Sequence, residues 1–590
     1  MPIKCSALLV VTLLVAQGVL AQPAVPLRNA DGTVLTIPET DAYVERVFSK
    51  PEIPHFSAAV QGYLWILEQL DNPLSDADYN VLLHHLRPVL MVMLPSDPAW
   101  QDLDRAVHGD ASPPGLGTVL VQWWRRQDPL PATPGNERLE EHLLRVTFAT
   151  RKYADPEDVR GFDDRGEIYV RLGKPFRDRK IALDTPAIVS NPLFARLPDN
   201  EIWVYRQVHD QAHYLFIRQS RRKPFVLGNA VDLIPRELRN GRRKLPLLLG
   251  VLEEMFAQLA LEHPHYGQAY DAIANYRTLP PIGSGSPHHF ANRTIERIRI
   301  DDEHHYWRRQ EVVPASFTRV LGRAETLQPA IRHARFLNAD GTTRLELYWV
   351  LGPRAMKPRR RLVSALGRDG HAPSDEYLLS IHVARKLPDY QTLDIGSKNY
   401  LVPADIDRAL DPRTFATTID TSMRHVAVQW DQHWTKPGPD GALLPGATLK
   451  IGTHVIDSVA TFQSDGRELE ISDLKPLTLT SGEDMQDARP YPYAQLSAST
   501  SLAIYFEIYN LAFSPEDRTR YTIEYRVSSG DERRVGATST YESDSRTAKE
   551  YIMLDLSTWE RDGPLIVTVH ARDNVTELSV ERSIAFEYER

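Results

Sequence analysis

Tyr521-Thr522-Ile523-Glu524-Tyr525-Arg526-Val527 decides how the carboxy-terminal half of this chain folds. Its apolar residues recur at every second position, so on an extended backbone they all fall on one face. The same period returns in Leu345, Leu347, Trp349 and Leu351, in Ile504, Phe506 and Ile508, and in Leu565, Val567, Val569 and Ala571. The last run leads into Asp573-Asn574, a turn pair, and predicts a hairpin. After Pro314 the chain reads as short strands with no helices between them, the pattern of antiparallel sandwiches. That stretch is too long for one sandwich, and a division near residue 475 gives a first over 314–475 and a second over 476–590.

Working back from Pro314, the spacing lengthens to that of helices. A helical segment over 236–313 holds Leu248, Leu252, Met255 and Leu259, stopped by Pro264, and a charged helix over Thr294 to Gln310. Residues 57–120 form a helical amino-terminal region. Val60, Leu64, Leu67 and Leu70 share a face there, and Ser75 with Asp78 opens a second helix that Pro88 interrupts. Between these lies a mixed core over 121–235. It has a helix capped by Thr133 with Pro134 in its first turn, a strand over Ile168, Val170 and Leu172, and a strand pair at Ile202–Arg206 and Tyr214–Ile217. Residues 22–56 are proline-rich and read as an irregular linker. The whole predicts an α+β multidomain fold: a helical amino-terminal part with a small mixed α/β core, then two antiparallel β-sandwich domains.

The amino terminus predicts export. Lys4 is followed by an apolar run from Ala7 to Ala16, and Val19-Leu20-Ala21 supplies small residues for cleavage after residue 21. The run is too short to cross a ~30 Å hydrocarbon core comfortably, so residues 1–21 read as a signal peptide, and no other run in the mature chain is of membrane-spanning length. Cys5, the only cysteine, lies inside it, which leaves the mature chain without disulfides, thiolates or cysteine-bound metals. An exported chain of this kind suits the periplasm or the extracellular side of a bacterial envelope. A net charge of −9 disfavours nucleic acid as the main partner.

Trp123-Trp124-Arg125-Arg126-Gln127-Asp128-Pro129, then Thr133-Pro134-Gly135-Asn136-Glu137, then Gly161-Phe162-Asp163-Asp164-Arg165-Gly166-Glu167-Ile168-Tyr169, then Leu172-Gly173-Lys174-Pro175 and Glu201-Ile202-Trp203-Val204-Tyr205-Arg206 follow one another in a distinctive order. This succession resembles the GWxTD-domain proteins, a bacterial exported family of unassigned activity. Tyr505-Phe506-Glu507-Ile508-Tyr509-Asn510-Leu511 is similar to a sheet segment of its longer members. The likeness is dense over residues 121–218. Phe162 stands where the family's name-giving run has Trp, and Asp163-Asp164 follows with one residue fewer; an ungapped alignment puts Gly161 at the Trp position instead.

The residues of that motif, Asp128, Gly161, Phe162, Asp163, Asp164, Arg165, Gly166, Tyr169, Gly173 and Pro175, include no evident nucleophile or base, so a structural role is expected of them. Gly166 and Gly173 would permit turns at the two ends of a strand, and Arg165 would pair with Asp128 or Asp164. A binding role falls to Trp123, Trp124, Trp203 and Tyr205, which as a shallow aromatic groove would stack on a sugar or clamp a peptide. Asp301-Asp302-Glu303-His304-His305, with His288-His289 upstream, is the sharpest metal-like cluster, but nearby arginines make a solvated helix face the expectation. His263-Pro264-His265 reads as a cap, and Gly283-Ser284-Gly285-Ser286 as a loop without the strand-to-helix setting of a hydrolase elbow. Basic clusters at Arg218–Lys223 with Arg239–Lys244, and at Lys357–Arg361, read as exposed patches. No cofactor, metal or catalytic residue is expected. These readings converge on a binding or assembly module whose partner is an envelope protein or polymer. The alternative is a hydrolase of an envelope polysaccharide or peptide polymer, acting through Asp163, Asp164 or the 301–305 cluster.

Overall fold

The computed structural model of the 590-residue chain describes residues 26–589 apart from 29–31, 50–55, 110–112, 192–195, 236–237, 239–244, 279–286, 313–316, 372, 406–409, 438–442, 463–467, 480–487, 498–499, 530–531, 555, 557–558 and 560–561. The expected signal peptide, the Gly283–Ser286 loop and the Arg239–Lys244 cluster lie outside the described residues. The chain is an α+β multidomain protein: helices dominate the amino-terminal part and antiparallel and mixed sheets follow. It divides into two compact units at Val320/Leu321, with Leu130–Pro134 counted in the second.

The first unit begins with a helix inside the stretch expected to be irregular. Helix α1 (Ile37–Phe48) starts at a reciprocal cap, in which the Thr36 backbone N–H donates to the Glu39 carboxylate at 2.9 Å and Thr36 Oγ1 accepts from the Glu39 N–H. Pro38 sits in its first turn, where a missing N–H is harmless. Then come α2 (Phe56–Glu68), α3 (Asp76–Val92), α4 (Trp100–Val107), α5 (Leu116–Arg126) and α6 (Glu137–Lys152). Ser75 caps α3 as expected, but Pro88 does not break it; the helix runs on to Val92. The cap of α6 is Asn136 and not Thr133. Asn136 Oδ1 accepts from the Leu139 N–H at 2.9 Å, while its amide donates to the Trp124 carbonyl at 2.8 Å and ties α6 to the end of α5. Val60, Leu64, Leu86, Leu103, Leu120, Trp124, Leu139 and Leu143 share one core.

The segment expected to be a strand, Ile168–Leu172, is a helix. Helix α7 (Asp164–Leu172) is capped by Asp163, carries Asp164 and Glu167 in its first turn, and ends at Gly173. The period-two reading failed because this helix is buried on two sides. Ile168 and Leu172, four apart, pack on the sheet cluster with Trp203 and Tyr205, whereas Val170 packs into the helical core. Alternate residues are then all apolar without an extended backbone.

Beyond α7, strands β1 (Arg177–Arg179), β2 (Asp199–Val204), β3 (His213–Arg218) and β4 (Val226–Gly228) form one antiparallel sheet in that order. The β2–β3 pair is the one expected from its alternation, turning through His209, Asp210 and Gln211. Helices Leu245–Glu262, Gly267–Thr278 and Pro287–Val312 complete the unit, with Leu248, Leu252, Met255 and Leu259 buried against Ile202, Leu215 and Ile217 of the sheet.

The second unit carries two sheet-on-sheet cores. A three-stranded sheet (Ala330–Leu337, Thr343–Val350, Arg413–Ile419) shares Leu345, Leu347 and Trp349 with Leu379, Ile381, Val428 and Trp430 of a five-stranded sheet. Further on, Ile504, Phe506 and Ile508 pack against Ile523, Val567, Val569 and Phe586. Strands Gly563–Asp573 and Ser579–Glu589 pair antiparallel across the Asp573-Asn574 turn, the predicted hairpin. The sheet containing Leu502–Tyr509 also takes Glu470–Ile471 and Lys475–Thr478, so residue 475 falls among its strands. Helices are present here, against expectation. Pro353–Met356 and Arg360–Arg368 follow the second strand, the latter burying Leu362 and Leu366 with arginines outward, so the Lys357–Arg361 cluster enters a helix and is largely exposed.

Candidate functional site

The motif residues assemble around the amino end of α7. Asp163 is 4% exposed; its Oδ1 accepts from the Arg165 N–H at 3.0 Å, and its Oδ2 takes Arg165 Nη2 at 2.8 Å. The same guanidinium donates Nη1 to Glu201 of β2 at 3.0 Å and lies 3.8 Å from the Phe225 ring centroid. Arg165 thus bolts α7 to the sheet through Asp163 and Glu201, and not through Asp128 or Asp164 as expected. Asp128 is half-buried beyond the end of α5. Asp164 belongs to a second hub, where Arg160 binds Asp158 at 2.6 Å, Asp164 at 2.9 Å and Glu167 at 2.6 Å. Hydrogen bonds to Asp158 and Asp164 hold the Arg160 guanidinium above its ordinary range, against the opposing effect of burial. Gly161 sits in the preceding turn with φ +80°, and Phe162 is fully buried in the helical core. Gly166 lies in the first turn of α7, where a Cβ would come within 2.4 Å of the Phe162 ring. Gly173, with φ +72°, donates its N–H to the Tyr169 carbonyl at 2.7 Å, and Pro175 follows where no helix can continue.

The four aromatic residues do not make one groove. Trp123 and Trp124 lie on α5 in the helical core, their rings 4.7 Å apart, with the Trp123 indole donating to Asp97 at 2.9 Å. Trp203 and Tyr205 are in the sheet cluster with Ile168 and Phe216. The Tyr205 hydroxyl donates to the Gly173 carbonyl at 2.8 Å, and burial pushes its pKa well up. All four are buried, so none presents a stacking face.

The 301–305 cluster comes apart on its helix. Asp301 and Glu303 are exposed and pair with Arg297 and Arg299, as a solvated face would. Asp302 turns inward, 2% exposed. Its Oδ2 accepts from the Ala230 N–H at 2.8 Å, and its Oδ1 takes the Tyr266 hydroxyl at 3.2 Å and approaches His265 Nε2 at 3.4 Å. His213 Nε2 meets the same hydroxyl at 3.2 Å and its ring stacks on His263 at 4.0 Å. His263 Nδ1 accepts from the His265 N–H at 3.2 Å, capping the short turn that follows the helix end. Sequence reading kept Asp302 and His263 apart and passed over His213 and Tyr266, because nothing in their spacing announces the meeting. Among the described residues, no group of three or more His, Cys, Asp and Glu could hold a metal ion.

A cavity that the sequence did not announce opens within the first unit. Its volume is about 700 Å³, and it lies between α6, the carboxy end of α7, Phe48 and Ser49 at the end of α1, and Arg319. Phe148 stacks on Tyr169 at 4.5 Å and 21°, and remains 42% exposed. Arg145 spans the floor: Nη1 donates to the Arg171 carbonyl at 2.9 Å, Nη2 binds Glu141, and burial pulls its pKa down. Glu141 also accepts from Thr318 Oγ1 at 2.6 Å and from the Arg319 N–H at 3.1 Å. Arg151, Lys152, Lys174 and Arg319 complete the charged lining and are exposed.

No family model matches this sequence, and no curated protein matches it. Among solved structures, the red sea bream transglutaminase aligns at 10% identity over 49% of this chain and 34% of its own, with a TM-score of 0.15, and that likeness carries no argument. No helix among the described residues is long and apolar enough to cross a membrane.

Proposed function

We propose that the chain is an exported bacterial envelope protein, akin to the GWxTD-domain proteins, that binds or assembles an envelope component and does not transform it. The observation that supports this most is the state of the motif carboxylates. Asp163 and Glu201 share Arg165, and Asp158, Asp164 and Glu167 share Arg160, at 2.6–3.0 Å. A carboxylate held by a guanidinium fork is a poor proton carrier, so the acids that a glycoside or peptide hydrolase needs are committed to architecture here. The rival reading, hydrolysis, draws its support from the Tyr266–Asp302–His265 contacts; the burial of Asp302 weighs against it. To test the two, the full chain is incubated with purified peptidoglycan and with acidic envelope polysaccharide. Retention on one polymer, with no new reducing ends or amines, is the expected result. Release of either product that disappears in Asp302→Asn would overturn the proposal.

A further inference from the structure

The cavity between α6 and α7 has a composition that the surrounding fold does not require. Basic residues in the last turn of a helix are ordinary, because they complement its negative end, and Arg151 with Lys152 could be there for that alone. Lys174 follows the end of a different helix, and Arg319 comes from a segment far along the chain. Convergence of cations from three separate places is not explained by helix dipoles. Nor is it balanced: Glu141 is occupied by Arg145, Thr318 and the Arg319 backbone, and among the described residues none of Arg151, Lys152, Lys174 and Arg319 is paired with a carboxylate. On a chain with net charge −9, four unbalanced cations lining one concavity form a local field of opposite sign to the whole.

The second feature is the aromatic wall. Tyr169 covers one face of Phe148, and Tyr153 meets both rings at 5.9 Å, yet Phe148 stays 42% exposed at the mouth of the cavity. The cations and the ring share a face of α6, since residues 145, 148 and 152 are spaced by three and four. Thr147 and Ser49 add hydroxyls to the lining. An exposed aromatic face beside forked and point cations, in a space sized for a small ligand, suits a molecule with an apolar ring face, hydroxyls and a carboxylate.

We propose that this cavity binds an anionic glycan segment, its acidic group lying among Arg151, Lys152, Lys174 and Arg319 and one sugar ring lying on Phe148. The inference rests on the reading of the chain as a binding module and names a site and ligand class for it. The full chain is titrated calorimetrically with tri-galacturonate, with the neutral cellotriose and with inorganic phosphate. Saturable binding of the uronate that weakens with salt, and none of cellotriose, is expected. Lys152→Ala with Lys174→Ala, and separately Phe148→Ala, should each weaken uronate binding by about tenfold or more while leaving the melting temperature unchanged. Phosphate bound as tightly as the uronate, equal binding of cellotriose, or full uronate affinity in the lysine and phenylalanine variants would each overturn the assignment. These outcomes are distinct from failure of the binding-module reading, which would show as no retention of the unaltered chain on any envelope polymer.

Discussion

Gly173 offers the sharpest test of how the motif works. Its backbone has φ +72° and ψ −155°, a region open in practice only to glycine, and holding another residue there costs about 1–3 kcal/mol. A Cβ added to it would also lie 3.0–3.1 Å from three atoms of the Arg145 guanidinium. That group cannot step aside freely. It holds Glu141 and the Val170 and Arg171 carbonyls at the open end of α7, and losing a charged hydrogen bond there costs about 1.5–3 kcal/mol more. Gly173→Ala should therefore cost roughly 2–5 kcal/mol. Two neighbours separate the causes. Gly161 has φ +80° with nothing within 4 Å of its added Cβ, so Gly161→Ala should show backbone strain alone, about 1–2 kcal/mol. Gly166 has an ordinary helical backbone, but its Cβ would sit 2.7 Å from Phe162 Cβ, an atom close to the main chain of a fully buried residue. Alanine gains helix propensity at that position and still loses through overpacking, by a net amount of about 0.5–2 kcal/mol. Differential scanning calorimetry of the full chain reads the order, Gly173→Ala lowest in melting temperature. Equal melting of Gly173→Ala and Gly161→Ala would remove Arg145 from the account, and Gly166→Ala melting above the unaltered chain would refute the close approach to Phe162.

Arg165→Ala should lower stability by about 2–4 kcal/mol, because it strands Asp163 and Glu201, and Arg165→Lys should rescue little since a point charge cannot make the fork; full rescue in a thermal melt would contradict the geometry. The His142 imidazole is held well below its usual pKa by burial, with Arg138 and Arg145 adding to the effect. Folding therefore favours its neutral form, and stability should be intact above about pH 6.5 and fall below it by up to about 1.4 kcal/mol per pH unit. Burial pushes His333, His433 and His454 in the same direction, so His142→Leu should flatten only part of the slope; melting that is level from pH 7.5 to 5 would sink this. Chelator treatment should leave the melting temperature unchanged, and a fall reversed by a divalent ion would revive a site at Asp301–His305. Edman sequencing of envelope-fraction protein should begin at Gln22, and recovery of Met1 would contradict export.

What the sequence made legible follows from how many cores each element touches. A strand in a sandwich buries one face, so Tyr521, Ile523 and Val527, or Leu565, Val567 and Val569, write their period directly into the sequence. Helix α7 touches two cores, and its period was written over by the second. The signal that would have recovered it was its cap: Asp163, then acids at Asp164 and Glu167, then glycine after Leu172. The same holds for α1, where Pro38 was read as a sign of irregular chain while Thr36 and Glu39 marked a helix start. In both cases the end-group chemistry was the better witness than the apolar spacing, because capping is settled within four residues and spacing depends on what packs against it.

The candidate sites divide along the same line. The Arg165 hub joins a helix start to Glu201, and the acid that matters most, Asp163, is two residues away; half of it was therefore within reach of local reading. The cavity takes its charge from Arg145, Arg151 and Lys152 on one helix but its completion from Lys174 and Arg319, whose approach depends on Glu141 binding the Thr318 hydroxyl and the Arg319 N–H. Glu141 is then the residue on which the site's assembly turns, although it faces away from any ligand's charge. Its replacement by Gln keeps the acceptor for Thr318 and frees Arg145 from its partner, which raises the positive field in the cavity while loosening the segment that brings Arg319 to it. If the field dominates, Glu141→Gln binds tri-galacturonate more tightly than the unaltered chain, with a steeper salt dependence. If the placement of Arg319 dominates, binding weakens and the salt dependence becomes shallower. The two Arg319 N–H contacts at 3.1–3.2 Å are long and one of them survives in the amide, so the field should win. Weaker uronate binding by Glu141→Gln at low salt would refute that ranking.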